Sequence, residues 1–416
     1  MKPSLMKKNI LQVFNFLRKH GAWVVFGKVF VSLLSLLLSI VLAKFMTTQE
    51  YGSYQYYLSV FLLLGSFSIP GATKSVIKYV ALGYEWTYQR LLKLRLRYSL
   101  LASIIFIVLS LYNIYVNNTI EAIVYFVFAL IFPFYHSYDL FAYYLHAKVE
   151  LKRLNTIYVV RAVVQVLSTV IVYFLSQSVE LALITFIASI AIINTAIYYK
   201  VCPGVSRQMY EEDISYKAKK MAIGLSLVGI LTIIVGQIDK ILVFNLINPE
   251  SLAVYGVGMM IGMTINSMFK VILNSFHAKL VVHDLKQWHY ITVLFFGTLV
   301  GILVSMIIPY FVELLYGNAY KESAYYASIV LCSLGIYLVN NLFYDSNMLH
   351  RNKNVKSIYA SVIGVSCIQL VVISALFWFV SGDNILIYLP FIYTLKMLLS
   401  VLLIHVANFK MQAYEK

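Results

Sequence analysis

The stretch Val235 to Tyr255, V-G-Q-I-D-K-I-L-V-F-N-L-I-N-P-E-S-L-A-V-Y, is apolar enough over most of its length to lie in a bilayer, yet it carries Asp239 and Lys240 side by side. A charged side chain in hydrocarbon costs about 2.5 to 3.5 kcal/mol on insertion scales, so each of the two asks for a partner or a wet cavity. The stretch has an echo near the start of the chain, in Phe45 to Tyr54, F-M-T-T-Q-E-Y-G-S-Y. A charge site inside a span, beside a half-chain repeat, is the pattern of a transporter built from two related halves.

Composition agrees. Of 416 residues 61% are hydrophobic, 15% aromatic and only 12% charged, about half the charge of an average soluble domain. The net charge of +16 does not point to nucleic acid, because there is no soluble domain of useful size to carry a basic face. It follows instead from the excess of Lys and Arg that cytoplasmic loops of membrane proteins carry. Cys202, Cys332 and Cys367 are scattered, with no C-x-x-C pair, which argues against disulfides and zinc ribbons. The first apolar run, Ala22 to Phe45, is too long for a cleaved signal and stays as an anchor.

Runs of about 20 apolar residues occur twelve times, at 22–45, 54–80, 97–116, 121–145, 155–176, 181–200, 220–247, 253–277, 289–311, 323–346, 355–380 and 384–407. The connections test that count. The segment before span 1, those after spans 2, 4, 6, 8 and 10, and the tail, with the span ends beside them, hold 24 Lys and Arg. The six opposite loops hold one, Lys321, and carry acids instead, including Glu50, Glu121, Glu180, Glu250 and Glu313. So strict an alternation would not survive a missed span, and it predicts both termini on the cytoplasmic side.

The longest cytoplasmic link contains Pro203-Gly204 and Glu211-Glu212-Asp213, the one compositional boundary in the chain. It divides a six-helix lobe at 1–200 and a linker at 201–219 from a second six-helix lobe at 220–416. An even number of spans per half gives the halves the same orientation, related by a pseudo-two-fold axis along the membrane normal. Tyr138-Asp139, Leu145-His146, Ile157-Tyr158 and Gln165 recur as Tyr344-Asp345, Leu349-His350, Ile358-Tyr359 and Gln369. Pro70-Gly71 and Pro133 are expected to kink or loosen spans 2 and 4.

Several motifs together resemble the polysaccharide-type (Wzx-like) flippases of the multidrug/oligosaccharidyl-lipid/polysaccharide exporter superfamily. They are Ile40-Val-Leu-Ala-Lys-Phe45 followed by Glu50-Tyr-Gly-Ser-Tyr54; Gly65 and Ala72-Thr-Lys-Ser-Val-Ile-Lys-Tyr-Val-Ala81; Gln237-Ile-Asp-Lys240 with Ala253-Val-Tyr255; and Leu314-Leu-Tyr-Gly-Asn-Ala-Tyr320. The resemblance implies an all-α integral membrane protein of twelve transmembrane helices, in two lobes around a central cavity lined by spans 1, 2, 7 and 8. It implies movement of an undecaprenyl-diphosphate-linked oligosaccharide from the cytoplasmic to the outer leaflet of the bacterial inner membrane, for O-antigen or capsule. Twelve spans separate the chain from the usual fourteen of peptidoglycan-precursor flippases. The lack of an acid in span 1, which has only Lys28 and Lys44, separates it from many cation-coupled drug exporters.

Eight cations against three acids lie inside or at the edges of spans: Lys28, Lys44, Lys74, Lys78, Arg161, Lys240, Lys270 and Lys396 against Asp139, Asp239 and Asp345. Lys44 and Lys78 sit near ends and reach the interface. Lys28, Lys74, Lys270 and Arg161 fall in the cytoplasmic half of their spans and Lys396 near the middle, where a diphosphate arriving from the cytoplasm meets them first. Lysine serves phosphate as a point charge and arginine as a two-pronged donor. For each residue the alternative is a structural bond between helices, the more so for Arg161.

His136 and Asp139, three apart on one helix face, are candidates for ion coupling or a locally bonded pair. Asp345 is expected to cap or to pair with Arg351 or Lys353. Asp239 and Lys240 point about 100° apart, so at most one faces a cavity, and a gate or coupling role suits them. Gly229 and Gly236 form a small-residue strip for close approach. Tyr54, Tyr56 and Tyr57 suit stacking on a sugar, but belong more naturally with the aromatic belt at the interface.

Other classes fit less well. A multidrug exporter of the same superfamily calls for an anionic cavity, against the excess of cations. A membrane polymerase or ligase calls for sizeable outer loops with catalytic groups, whereas these are short. No metal-ligand spacing stands out among the eight His, and no cofactor is implied. By analogy with the family, energy comes from a proton or sodium gradient or from the membrane potential. The expected partners are the lipid-linked oligosaccharide, membrane lipids and other polysaccharide-assembly proteins.

Overall fold

The computed structural model describes residues 3–201, 211–274, 287–349, 355–380, 382 and 384–414. They form fifteen α-helices and two short 3-10 turns: α1 Pro3–Phe45, α2 Thr48–Leu64, α3 Ala72–Ala81, α4 Thr87–Tyr115, α5 Thr119–Tyr138, α6 Leu140–Ala147, α7 Leu151–Ser176, α8 Val179–Val201, α9 Glu212–Leu246, α10 Pro249–Asn274, α11 Gln287–Tyr316, α12 Ser323–Cys332, α13 Leu334–Leu349, α14 Val355–Phe379 and α15 Asn384–Tyr414. Ten segments are long and apolar enough to cross a membrane, and two bent helix pairs bring the number to twelve. Each matches one of the twelve apolar runs in the sequence. Pro203-Gly204 in the link between halves, and Arg351 and Lys353 as partners for Asp345, lie outside the described residues.

Contacts group the chain into two compact units, Met1–Gly52 with Leu242–Lys416, and Ser53–Ile241. The chain passes from one to the other after Gly52 and again after Ile241, two residues beyond Asp239. Both crossings fall inside the echoing stretches.

In the first unit, α1 packs on α10 and α11, and α11 on α12 and α13. With lipid on one side and helix on the other, helices associate through close backbone approach at small residues. A Cβ on Gly258 of α10 would lie 2.5 Å from the Ser323 carbonyl oxygen, and one on Gly301 of α11 would lie 2.1 Å from that of Leu331. The echoing stretches themselves meet here, since a Cβ on Gly52 would fall 1.9 Å from the Pro249 carbonyl oxygen.

Both stretches start a helix in the same way. Thr47 and Glu50 form a reciprocal cap, the Thr47 N–H donating to Glu50 Oε2 at 2.7 Å and the Glu50 N–H to Thr47 Oγ1 at 3.2 Å. Asn248 Oδ1 accepts from the Ser251 N–H at 2.6 Å, with Pro249 in the first turn. Beside them Ser39 Oγ lies 2.7 Å from Tyr51 Oη and accepts from Tyr316 Oη at 3.2 Å. Tyr51 also meets the ring of Tyr320 edge-on at 6.2 Å. Two of the motifs that carried the family resemblance, Glu50–Tyr54 and Leu314–Tyr320, thus meet at one spot.

In the second unit α4 and α5 pair along their length, with α8 on α5 and α7 on α8. The α4–α5 seam is laced by serines: Ser99 Oγ lies 3.2 Å from Ser137 Oγ, and Ser110 Oγ donates to the Ala122 carbonyl at 2.7 Å. A third serine meets the carbonyl that Pro133 frees in span 4. Proline withholds the N–H that would bond the carbonyl four residues back, that of Ala129. Ser103 Oγ donates to that carbonyl instead, at 2.7 Å, and α5 continues to Tyr138. The other half repeats the device: Pro309 lies inside α11, and Ser328 Oγ donates to the Ser305 carbonyl at 3.4 Å.

Span 2 does bend where Pro70-Gly71 predicts, by 50° between Thr48–Ser68 and Ala72–Ala81. Span 10 bends by 45° around Ser333, whose hydroxyl bonds back to the Val330 carbonyl at 2.7 Å. No proline marks that second bend.

Candidate functional site

The break in span 2 is built from backbone groups that lost their helical partners. Pro70 has no N–H, and the Ala72 N–H bonds the Ile69 carbonyl at 3.0 Å, so the Ser68 carbonyl is left without its usual partner. Arg95 of α4, only 6% exposed, donates to it from Nε at 3.0 Å. Ile69 takes φ of +51°, a left-handed conformation that a β-branched residue holds only under constraint. On the far side the Gly71 N–H donates to Ser226 Oγ of α9 at 3.1 Å, and a Cβ on Gly71 would lie 2.2 Å from the Ala222 carbonyl oxygen. Ser75 Oγ donates to the Ala218 carbonyl at 2.8 Å. The half-helix α3 is thereby fixed against α9, with Lys74 exposed in its first turn.

Span 4 has a second interruption, at Asp139 between α5 and α6. The Asp139 N–H turns to the Ser137 carbonyl and frees that of Tyr135, which accepts from Asn194 Nδ2 at 3.2 Å. Arg161 of α7 ties this together, donating from Nη1 to Asp139 Oδ1 at 3.1 Å and to Asn194 Oδ1 at 3.2 Å, its guanidinium 4.9 Å from the centre of the Tyr158 ring. Arg95 is within electrostatic reach of Asp139. His136, expected to partner Asp139, is instead set among aromatic rings, 4.6 Å from Phe132 and 5.7 Å from Phe61, with no hydrogen bond at Nε2. Gly65 leaves room for it, since a Cβ there would lie 2.7 Å from the His136 ring.

The other unit brings two of the expected phosphate ligands together. Lys28 on α1 and Lys270 on α10 lie within mutual electrostatic reach, carried there by the packing of the two helices. Lys28 is exposed, and Lys270 and Lys396 are half-buried. In span 7, Asp239 and Lys240 are both half-buried, and Lys240 Nζ donates to Gln237 Oε1 at 3.4 Å. Gly229 abuts Pro70, as a packing strip should, but Gly236 has nothing within 4 Å of its Cβ position. Tyr54 and Tyr57 are buried against Phe186 and Tyr125, in the core rather than in an interfacial belt.

Sequence reading passed over Arg95, which it counted as a loop cation. The signal was present: Leu92, Arg95, Ser99, Ala102, Phe106, Ser110 and Asn113 recur at three- and four-residue spacing, the buried stripe of a helix that begins at Thr87.

The sequence matches the model of the polysaccharide biosynthesis protein family over residues 17–276. The chain belongs to that family. Its members are Wzx-like flippases, and the chain is accordingly a multi-pass transporter rather than an enzyme. No curated protein matches the sequence. Among solved structures the fold is similar to the lipid II flippase MurJ in an inward closed conformation, with a TM-score of 0.63 at 13% identity over 92% of this chain and 87% of that one. An inward-facing multidrug resistance transporter of the MATE family in the MOP superfamily gives 0.61 at 12% identity, over 92% and 95%. The Vibrio cholerae MATE transporter VcmN in its bent form gives 0.58 at 14% identity, over 96% and 99%. At these identities the likeness is one of fold, and the polysaccharide family members share it with drug transporters.

Proposed function

We propose that the protein carries an undecaprenyl-diphosphate-linked oligosaccharide repeat unit from the cytoplasmic to the outer leaflet of the bacterial inner membrane, by alternating access, for O-antigen or capsular polysaccharide. The observation that carries this reading is the pairing of Lys28 with Lys270. Like charges so placed on two packed helices repel each other, and a diphosphate would relieve that repulsion. It supplies negative charge in compact form, and lysine ammoniums suit it.

Within the second unit, Lys74 on α3 is itself a candidate for the diphosphate. It stands exposed in the first turn of its helix, where the dipole favours an anion. Lys396 would follow the substrate deeper into the span. Arg161, already bonded to Asp139 and Asn194, contributes positive potential rather than a free fork.

Coupling to a proton or sodium gradient, with no bound cofactor, would run through Asp239, Lys240, Asp139 and His136. Asp239 and Lys240 stand side by side and half-buried in span 7, which suits a gate or coupling role. The sequence division into lobes 1–200 and 220–416 joined by a linker at 201–219, with both termini cytoplasmic, belongs to the same proposal, as do partners in the polysaccharide assembly machinery. A multidrug exporter is the second reading, favoured by the fold likeness to MATE transporters; the eight-to-three excess of cations in the spans weighs against cationic drugs.

The test is complementation. In a strain lacking its own flippase for a matching glycan, the wild-type gene should restore surface polysaccharide, and K28A/K270A at equal membrane level should not. Full restoration by the double variant would remove the proposed diphosphate site.

A further inference from the structure

The half-helix that carries Lys74 owes its direction to a contact outside the cation set. Span 2 bends by 50° at a point where Ile69 is held left-handed and the Ser68 carbonyl has lost its helical donor. In a membrane interior such a carbonyl must find a donor. It finds Arg95 Nε, at 3.0 Å, from a side chain almost wholly buried and anchored on a different helix. The opposite side of the break is held by the Ser226 hydroxyl on the Gly71 N–H. Ser75 adds a third hold, its hydroxyl on the Ala218 carbonyl at 2.8 Å; of the three, Arg95 alone is charged and alone addresses the strained carbonyl side. Among the described residues Arg95 Nη1 has no hydrogen-bond partner.

We infer that Arg95 is a positioning residue for substrate binding: it fixes the bend of span 2 and thereby the place at which Lys74 meets the diphosphate, without touching the substrate itself. The inference rests on the diphosphate reading of Lys74. Removing Arg95 lets α3 swing or straighten, and the damage reaches binding only through Lys74. That coupling separates a positioning role from a general structural one, which would weaken binding independently of Lys74.

The experiment uses the full-length protein in nanodiscs, with undecaprenyl diphosphate as the titrated probe. Spin labels at L62C and K78C, on either side of the break, report the bend. A charged hydrogen bond to a carbonyl is worth about a factor of ten or more in an equilibrium. K74A is therefore expected to weaken binding about tenfold and leave the label distance unchanged. R95M, which removes the donor and whose apolar chain suits the buried site, should weaken it by a similar factor and broaden the distance distribution, and R95M/K74A should be no weaker than either single change. R95L should behave as R95M does, while R95Q, whose amide Nε2 stands where Arg Nε stood, and R95K keep a donor for Ser68 and should recover most of the affinity.

Unchanged affinity in K74A overturns the diphosphate reading of that residue, whatever Arg95 does to the bend. A weakened K74A beside R95M and R95L that keep wild-type affinity and a sharp distance overturns the positioning role alone. So does full additivity of R95M with K74A.

Discussion

Gly52 shows how much a single residue decides. With no side chain it lets α2 start against the backbone of Pro249, where a methyl group would sit 1.9 Å from a carbonyl oxygen. Backbone cannot yield as a flexible side chain can, so G52A is expected to lower stability by about 1 to 3 kcal/mol or to prevent assembly. G236A, at a position with nothing within 4 Å, is the matched control and should be neutral or stabilising by up to about 1 kcal/mol. Thermal unfolding of the purified variants separates the two outcomes, and equal behaviour would mean the close approach at Gly52 is absent.

Glu85, in the turn before α4, gives a pH-dependent counterpart outside the membrane spans. Burial alone would raise its carboxyl, but hydrogen bonds from Lys148 and from Tyr144 Oη, the latter at 2.7 Å, together with the Lys148 charge, outweigh burial and hold it below the ordinary value of 4.5. A carboxylate depressed in the folded state stabilises that state above its unfolded pKa, and the contribution fades as pH falls through the folded one. Wild-type protein should therefore lose more thermal stability than E85Q as pH falls from about 5 to below 4. Identical pH profiles would contradict the contact.

At this scale the sequence showed which residues are charged inside spans, but not what they meet. The partner of Asp139 was read as His136 by spacing, whereas Arg161 reaches it from twenty-two residues away. Spacing along one helix cannot report a contact made by another.

At the scale of elements, the spans and their ends were legible because hydropathy and charge alternate so regularly. The bends were only half legible. Pro70 announced the break in span 2, whereas α5 runs on past Pro133 to Tyr138, with Ser103 on a neighbouring helix taking the freed carbonyl. Ser333 bends span 10 with no proline at all. Whether a proline breaks a membrane helix depends on a donor from elsewhere in the fold, which local sequence does not contain. The account makes a specific demand: S103A should destabilise the wild-type protein by about 1 to 2 kcal/mol, and should cost clearly less in a P133A background, where the helix regains its own donor. Additive effects in that double-mutant cycle would show that Ser103 does not serve Pro133. The pair Ser328 and Pro309 should behave in the same way, more weakly in keeping with its longer 3.4 Å contact.

At the scale of the whole molecule, the family makes the chain a transporter, and its fold is similar to those of a lipid flippase and of drug transporters. The choice between them falls to charge. The excess of cations in the spans was visible in the sequence; that Lys28 and Lys270 come together, and that Lys74 sits on a half-helix held by Arg95, was not, because each depends on packing between distant segments. The most direct measurement is translocation by the purified protein in proteoliposomes, followed with a fluorescent undecaprenyl-diphosphate-linked sugar and, in parallel, with a cationic drug. The account predicts transbilayer movement of the lipid-linked sugar, slowed about tenfold or more in K28A/K270A, and no movement of the drug. Drug transport without lipid movement, or lipid movement untouched by the loss of both lysines, would contradict it.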